Sequence, residues 1–227
     1  MKTIIIIAVV FVAALAVGIG VNLYTNPDFS GFGRETFPDP VVTILTGEDG
    51  EPIPRAERED AYNWEGHPVF VVGDSLTQGA RRDIENAIDG VTIDALEGRN
   101  MTQGLAILRE WDESGIMTDD AIIVVCLAHN ITDGTVRDAQ QIIDMIRPGQ
   151  SLIMMTGHGR TNMEAINGFI RSLPRAYSYI TVADWDLTVA QSPSLLSSDG
   201  VHIARRQGNE LYADLILRAL EVAQPMP

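Results

Sequence analysis

Five short apolar runs, each followed by a stretch of helical spacing, constrain this chain more than any other feature. They cover residues 68–72, 91–96, 121–127, 151–155 and 179–183. Behind the second run Leu105, Leu108 and Trp111 fall on one helical face. Val136, Ile142, Ile143 and Ile146 do so behind the third, and Met163, Ile166 and Ile170 behind the fourth. A last helix over 204–222 aligns Leu211, Leu215, Ala219 and Val222. A strand with one wet face alternates apolar and polar residues, whereas these runs are largely apolar, which implies a parallel sheet covered by helices on both sides. Right-handed crossovers leave few topologies for such a chain. The simplest is a three-layer, flavodoxin-like α/β domain over residues 67–224 with a five-stranded parallel sheet. No internal repeat interrupts it.

What precedes the domain has a different character. Ile4 to Val21 are eighteen consecutive uncharged, mostly apolar residues behind Lys2. A bilayer core of about 30 Å takes about 20 helical residues, so residues 1–24 are expected to form a hydrophobic helix. Two readings stay open for it: an uncleaved signal anchor, or a signal peptide cut near Ala14-Leu15-Ala16. Both put the remainder outside the cytoplasm, anchored to the membrane in the first case and secreted in the second. Residues 25–66 carry ten acids against three arginines and five prolines. Such a stretch buries too little apolar surface to fold alone, and reads as an acidic, Pro-rich linker. Its one apolar run, 41–45, is expected to be a lone strand or a docking segment.

Charge and composition remove several classes of function. A net charge of −15 argues against nucleic acid as a partner, since phosphate binding needs a basic surface. A single cysteine, Cys126, rules out an internal disulfide and a Cys-x-x-Cys zinc site, and its place inside an apolar run marks it as buried. Lys2 is the only lysine, so the domain has none for a P-loop or a Schiff base.

In open α/β sheets ligands bind beyond the carboxyl ends of the strands, so the residues after each run matter most. Gly73-Asp74-Ser75-Leu76 follows the first and Glu97-Gly98-Arg99-Asn100 the second. Ala128-His129-Asn130 follows the third, and Gly157-His158-Gly159-Arg160 the fourth. Ser198-Asp199-Gly200-Val201-His202 lies beyond the fifth. Ser75 stands where a strand turns into a helix, which exposes its hydroxyl beside the helix's first free N–H groups. A serine needs a base to become a nucleophile. His202 is the candidate base, and Asp199, three residues earlier, is the candidate carboxylate that fixes its tautomer. Asp74 is expected to brace the turn through backbone hydrogen bonds, and Trp185 to be core or a wall of the cleft.

These motifs resemble those of the SGNH (GDSL-type) hydrolases. Gly73-Asp74-Ser75-Leu76 is similar to that family's first block and Asp199-Gly200-Val201-His202 to its last. Gly98 matches the glycine block and Asn130 the asparagine block. The resemblance implies that Ser75, Asp199 and His202 are catalytic, and that the Ser75 N–H, the Gly98 N–H and the Asn130 amide form an oxyanion hole. A nearer similarity, carried by Gly98-Arg99, Ala183-Asp184-Trp185 and Ser198 to His202, is to the SGNH domains of bacterial cell-surface O-acetyltransferases. One departure is that Ala128 stands where the family often has glycine, which adds a methyl group close to the expected oxyanion hole.

The implied activity is that of an extracytoplasmic serine esterase or O-acyltransferase. Its substrate would be an acylated carbohydrate or small ester, acetyl above all, and it would need neither metal nor organic cofactor. Arg99, His129, His158 and Arg160 are candidate substrate contacts, with a carboxylate partner the alternative for Arg99. A separate membrane acyltransferase is a candidate partner. The rival expectation is an inert surface module of the same fold that binds glycan or such a membrane protein.

Overall fold

The computed structural model describes residues 42–43, 63–160 and 163–227 of the 227. The expected N-terminal helix and most of the acidic linker lie outside them. Among the described residues no helix is long and apolar enough to cross a membrane.

Five parallel strands form the body of the sheet: β2 (Val69–Gly73), β3 (Thr92–Ala95), β4 (Ile122–Cys126), β5 (Ser151–Met155) and β6 (Ile180–Ala183). A sixth strand, β1 (Val42–Thr43), pairs antiparallel with β6 through Val42 opposite Ala183 and Thr43 opposite Val182. The order across the sheet is β1-β6-β5-β4-β2-β3. Counting only the parallel strands, this is the flavodoxin-like order 2-1-3-4-5, with its reversal between β2 and β4. Val42 and Thr43, the described part of the linker's short apolar run, therefore form an edge strand added to a sheet that is otherwise as expected.

Among the described residues six α-helices accompany the sheet: α1 (Ser75–Ala87), α2 (Met101–Glu113), α3 (Thr135–Asp144), α4 (Met163–Ser172), the short α5 (Trp185–Ala190) and α6 (Arg206–Val222). Alternate side chains of each strand point to opposite faces, and the core splits accordingly. Val69, Val71, Ile122, Val124 and Ile153 pack against Ile84 of α1 and Leu215 and Ile216 of α6. Phe70, Val72, Ile123, Val125 and Leu152 pack against Leu105 of α2, Ile142 of α3 and Ile166 of α4. Trp185 is core, edge-on to Tyr212 with ring centroids 5.0 Å apart. Burial raises the Cys126 thiol to about 12, which keeps it protonated and inert.

One expected core position is wrong. Val136 is exposed, and the inward face of α3 is made by Thr135, Asp138, Ala139, Ile142 and Ile143. Asp138 is buried and accepts a hydrogen bond from Thr102 on α2, so the first turn faces its neighbour with a polar contact.

Candidate active site

The strand-to-helix turn that carries Ser75 is held by its predecessor. Asp74 caps α1, its Oδ1 accepting the Leu76 N–H at 3.0 Å, and it is wholly buried. Ser75 is then the first helical residue, half-buried, beside the reversal between β2 and β4. A crevice at that reversal is where open α/β sheets bind ligands.

The distant loop after α5 brings an imidazole to this hydroxyl. Ser75 Oγ lies 3.1 Å from His202 Nε2, and His202 Nδ1 lies 2.6 Å from Asp199 Oδ2. A carboxylate can only accept, so Nδ1 carries the ring proton and Nε2 is left to take one from the serine. Asp199 Oδ1 accepts from the Ser197 hydroxyl and from the N–H groups of Val201 and His202. The bond from His202 first, and these others after it, hold the Asp199 carboxyl well below the usual carboxylate range. The pair is open to solvent, with side-chain exposures of 40% for His202 and 49% for Asp199.

Beyond the carboxyl ends of β3, β4 and β5 is an open hollow of about 390 Å³ lined by Gly98, Asn100, His129, Asn130, Ile131, Thr132 and Arg160, with neither Ser75 nor His202 in its lining. Gly98 has φ +74°, a conformation that strains any other residue. Asn130 donates one amide N–H to the Arg99 carbonyl at 3.0 Å, which fixes the plane of the amide. Ala128 is 1% exposed and belongs to the core on the α2–α4 side of the sheet.

The four candidate contacts divide. Arg99 is 6% exposed and turned inward, donating to the Asp94 carbonyl and to Asp94 Oδ1, both at 2.6 Å. It ties the end of β3 through this carboxylate partner. His129 is 3% exposed, with Nδ1 at 3.0 Å from Asp74 Oδ2, and it is one of the residues that line the hollow. His158 is partly exposed, with Nδ1 held by Asp186 at 2.8 Å. Arg160 is exposed and lines the hollow.

Three supporting features escaped the sequence reading. Arg171 of α4 bonds both Asp184 and Asp186. Burial works to raise the Asp186 carboxyl, but the bonds from His158 and Arg171 prevail and lower it. Asn167 clamps Gly157, accepting its N–H at 2.9 Å and donating to its carbonyl at 2.8 Å. Gly159, at φ +83°, lies so close to Gly200 that a Cβ would come within 1.8 Å of the Gly200 oxygen. Each depends on residues remote in sequence, so no local pattern announces it.

No family model matches the chain. Among solved structures it is similar to the C-terminal catalytic domain of peptidoglycan O-acetyltransferase A (OatA) from Streptococcus pneumoniae, captured with a methylsulfonyl adduct. The TM-score is 0.65 at 24% identity, covering 71% of this chain and 96% of that one. A GDSL-like lipase from Bacteroides thetaiotaomicron gives a TM-score of 0.53 at 17% identity, covering 68% and 87%. The chain has the SGNH hydrolase fold. The curated protein "Putative peptidoglycan O-acetyltransferase YrhL" of Bacillus subtilis (strain 168) is 24% identical over 153 residues. That match takes in 67% of this chain but only 24% of the relative, so the chain spans about a quarter of its length. In the SGNH fold of this chain the hydroxyl, imidazole and carboxylate, together with Gly98 and Asn130, all sit at the carboxyl edge of the sheet.

Proposed function

We propose that this chain is an extracytoplasmic serine esterase or O-acyltransferase that acts on acetyl esters of a cell-envelope glycan. The single observation that carries the reading is the hydrogen-bonded row Ser75 Oγ, His202 and Asp199, with contacts of 3.1 and 2.6 Å. The names of the OatA domain and YrhL support peptidoglycan as the glycan.

Ser75 Oγ attacks the ester carbonyl carbon while His202 Nε2 takes the hydroxyl proton, and Asp199 steadies the imidazolium. The carbonyl oxygen becomes an oxyanion, which receives the Ser75 N–H, the Gly98 N–H and the second N–H of Asn130. Removing one donor of this kind costs about 3–4 kcal/mol of transition-state stabilisation. The tetrahedral carbon then expels the sugar alkoxide, which takes the proton from His202. An acetyl group is left as an ester on Ser75. Water or another sugar hydroxyl attacks this ester, giving its proton to His202, and Ser75 is released as the hydroxyl. Residues 1–24 would hold the site at the outer face of the membrane, where a separate membrane acyltransferase could supply the acyl group.

The test uses the full chain in detergent with p-nitrophenyl acetate and with a sulfonyl fluoride. Wild type is expected to turn over the ester and to carry one sulfonyl group on the Ser75 peptide. Ser75→Ala is expected to lose both while keeping its circular dichroism. Wild type that is inert to both reagents would overturn the reading in favour of a binding module.

A further inference from the structure

We propose that His129 is a positioning residue that locks the nucleophile turn, the Asn130 loop and the loop of Asp199 and His202 in register, and does so in one tautomer. This rests on the catalytic reading of Ser75.

The ring is hydrogen-bonded at both nitrogens. His158 donates its backbone N–H to His129 Nε2 at 3.2 Å, so Nε2 must be a bare acceptor. The ring proton is therefore on Nδ1, and it is donated to Asp74 Oδ2 at 3.0 Å. Asp74 precedes Ser75, His129 precedes Asn130, and His158 precedes Gly159, whose backbone presses on Gly200 between Asp199 and His202. One imidazole thus joins the ends of β2, β4 and β5, and through Gly159 it reaches the loop of the base.

Burial gives this link its weight. Asp74 is 0% exposed, and apart from the Leu76 N–H on Oδ1 its carboxylate has the His129 proton on Oδ2. Buried polar groups left without partners are costly, so the turn keeps its shape only while the imidazole donates there. A side chain that is 3% exposed and bonded at both nitrogens has no polar atom to offer a substrate. Its influence on the reaction runs through Ser75, Asn130 and His202.

The two bonds can be removed separately. His129→Asn can place an amide N–H near the position of Nδ1 and keep the Asp74 bond. His129→Gln can place its oxygen near the position of Nε2 and keep the His158 bond. His129→Phe keeps the ring shape and neither bond. For p-nitrophenyl acetate, kcat and the rate of Ser75 sulfonylation are expected to fall about 100-fold in His129→Phe, the size of effect a displacement of about 1 Å produces. His129→Gln should fall nearly as far and His129→Asn less, with KM unchanged throughout. Independently of activity, nitrogen NMR of wild type labelled at its four histidines should show the His129 ring, like that of His202, locked with the proton on Nδ1. The residue is assigned by its loss in His129→Asn.

A His129→Phe protein that is folded and sulfonylated at the wild-type rate would overturn the proposal. So would a rise in KM at constant kcat, or a His129 ring protonated on Nε2. If His129→Phe does not fold, the Asn and Gln variants and the wild-type spectrum still decide. Failure of the catalytic reading looks different: wild type itself would leave Ser75 unlabelled, whatever the tautomer of His129.

Discussion

Gly159→Ala asks whether the loop after β5 holds the base in place. Two penalties arise, and they can be separated. The backbone term comes from φ +83°, where a side chain costs roughly 1–2 kcal/mol. The steric term is larger in its consequences. A Cβ would stand 1.8 Å from the Gly200 oxygen, whereas ordinary contact begins near 3.4 Å, so one loop must retreat by about 1.6 Å. Gly200 lies between Asp199 and His202, and the His202 Nε2 to Ser75 Oγ contact of 3.1 Å has no slack for such a shift. A misplacement of about 1 Å costs on the order of 100-fold in rate. Gly90→Ala is the control: its φ is +69°, nothing lies within 4 Å of an added Cβ, and it precedes β3 at the opposite end of the sheet. Each kcal/mol lowers Tm by roughly 2–4 °C in a chain of this size, so both variants should melt a few degrees early. Only Gly159→Ala should lose kcat on p-nitrophenyl acetate, by about 100-fold or more. Equal kcat in the two variants would refute the link between this glycine contact and the placement of His202.

Arg99→Ala should remove charge-assisted bonds to Asp94, costing about 2 kcal/mol and a Tm decrease of roughly 4–8 °C, with KM unchanged. A raised KM at unchanged Tm would return Arg99 to the substrate. Asp186→Asn tests the lowered carboxyl beside Arg171 and His158. Because the folded form holds this proton less readily than the ordinary value of 3.8, its stabilisation is complete above that value and is lost as pH falls through the folded value. Urea midpoints of wild type and variant should therefore differ most at pH 6 and draw closer as pH falls below 3.8, and a gap that does not narrow in acid would contradict the assignment.

The sheet was legible because buried parallel strands are apolar on both faces, so residues 121–127 and 151–155 stand out without an alignment. The chain order of Ser75, Asp199 and His202 was legible because each follows a strand or lies near a turn glycine. Arg99 was ambiguous for a physical reason: a guanidinium five residues from Asp94 reaches it only if the chain doubles back, as it does at Gly98. The roles of His129 and Gly159 were hidden because both depend on contacts between loops far apart in sequence. Val136 misled because an apolar residue at helical spacing in a first turn can equally face water, as it does here.

The openness of the Asp199–His202 pair bears on what becomes of the acetyl group. With 40% of the imidazole side chain wetted, solvent reaches the base without any gate having to open. Any carbohydrate acceptor then competes with a reactant that is always present and never has to dock. On the proposed function the ratio of transferred to hydrolysed product would rise with how often an acceptor is docked, and the same three side chains would serve a deacetylase in dilute sugar and a transferase in a crowded wall.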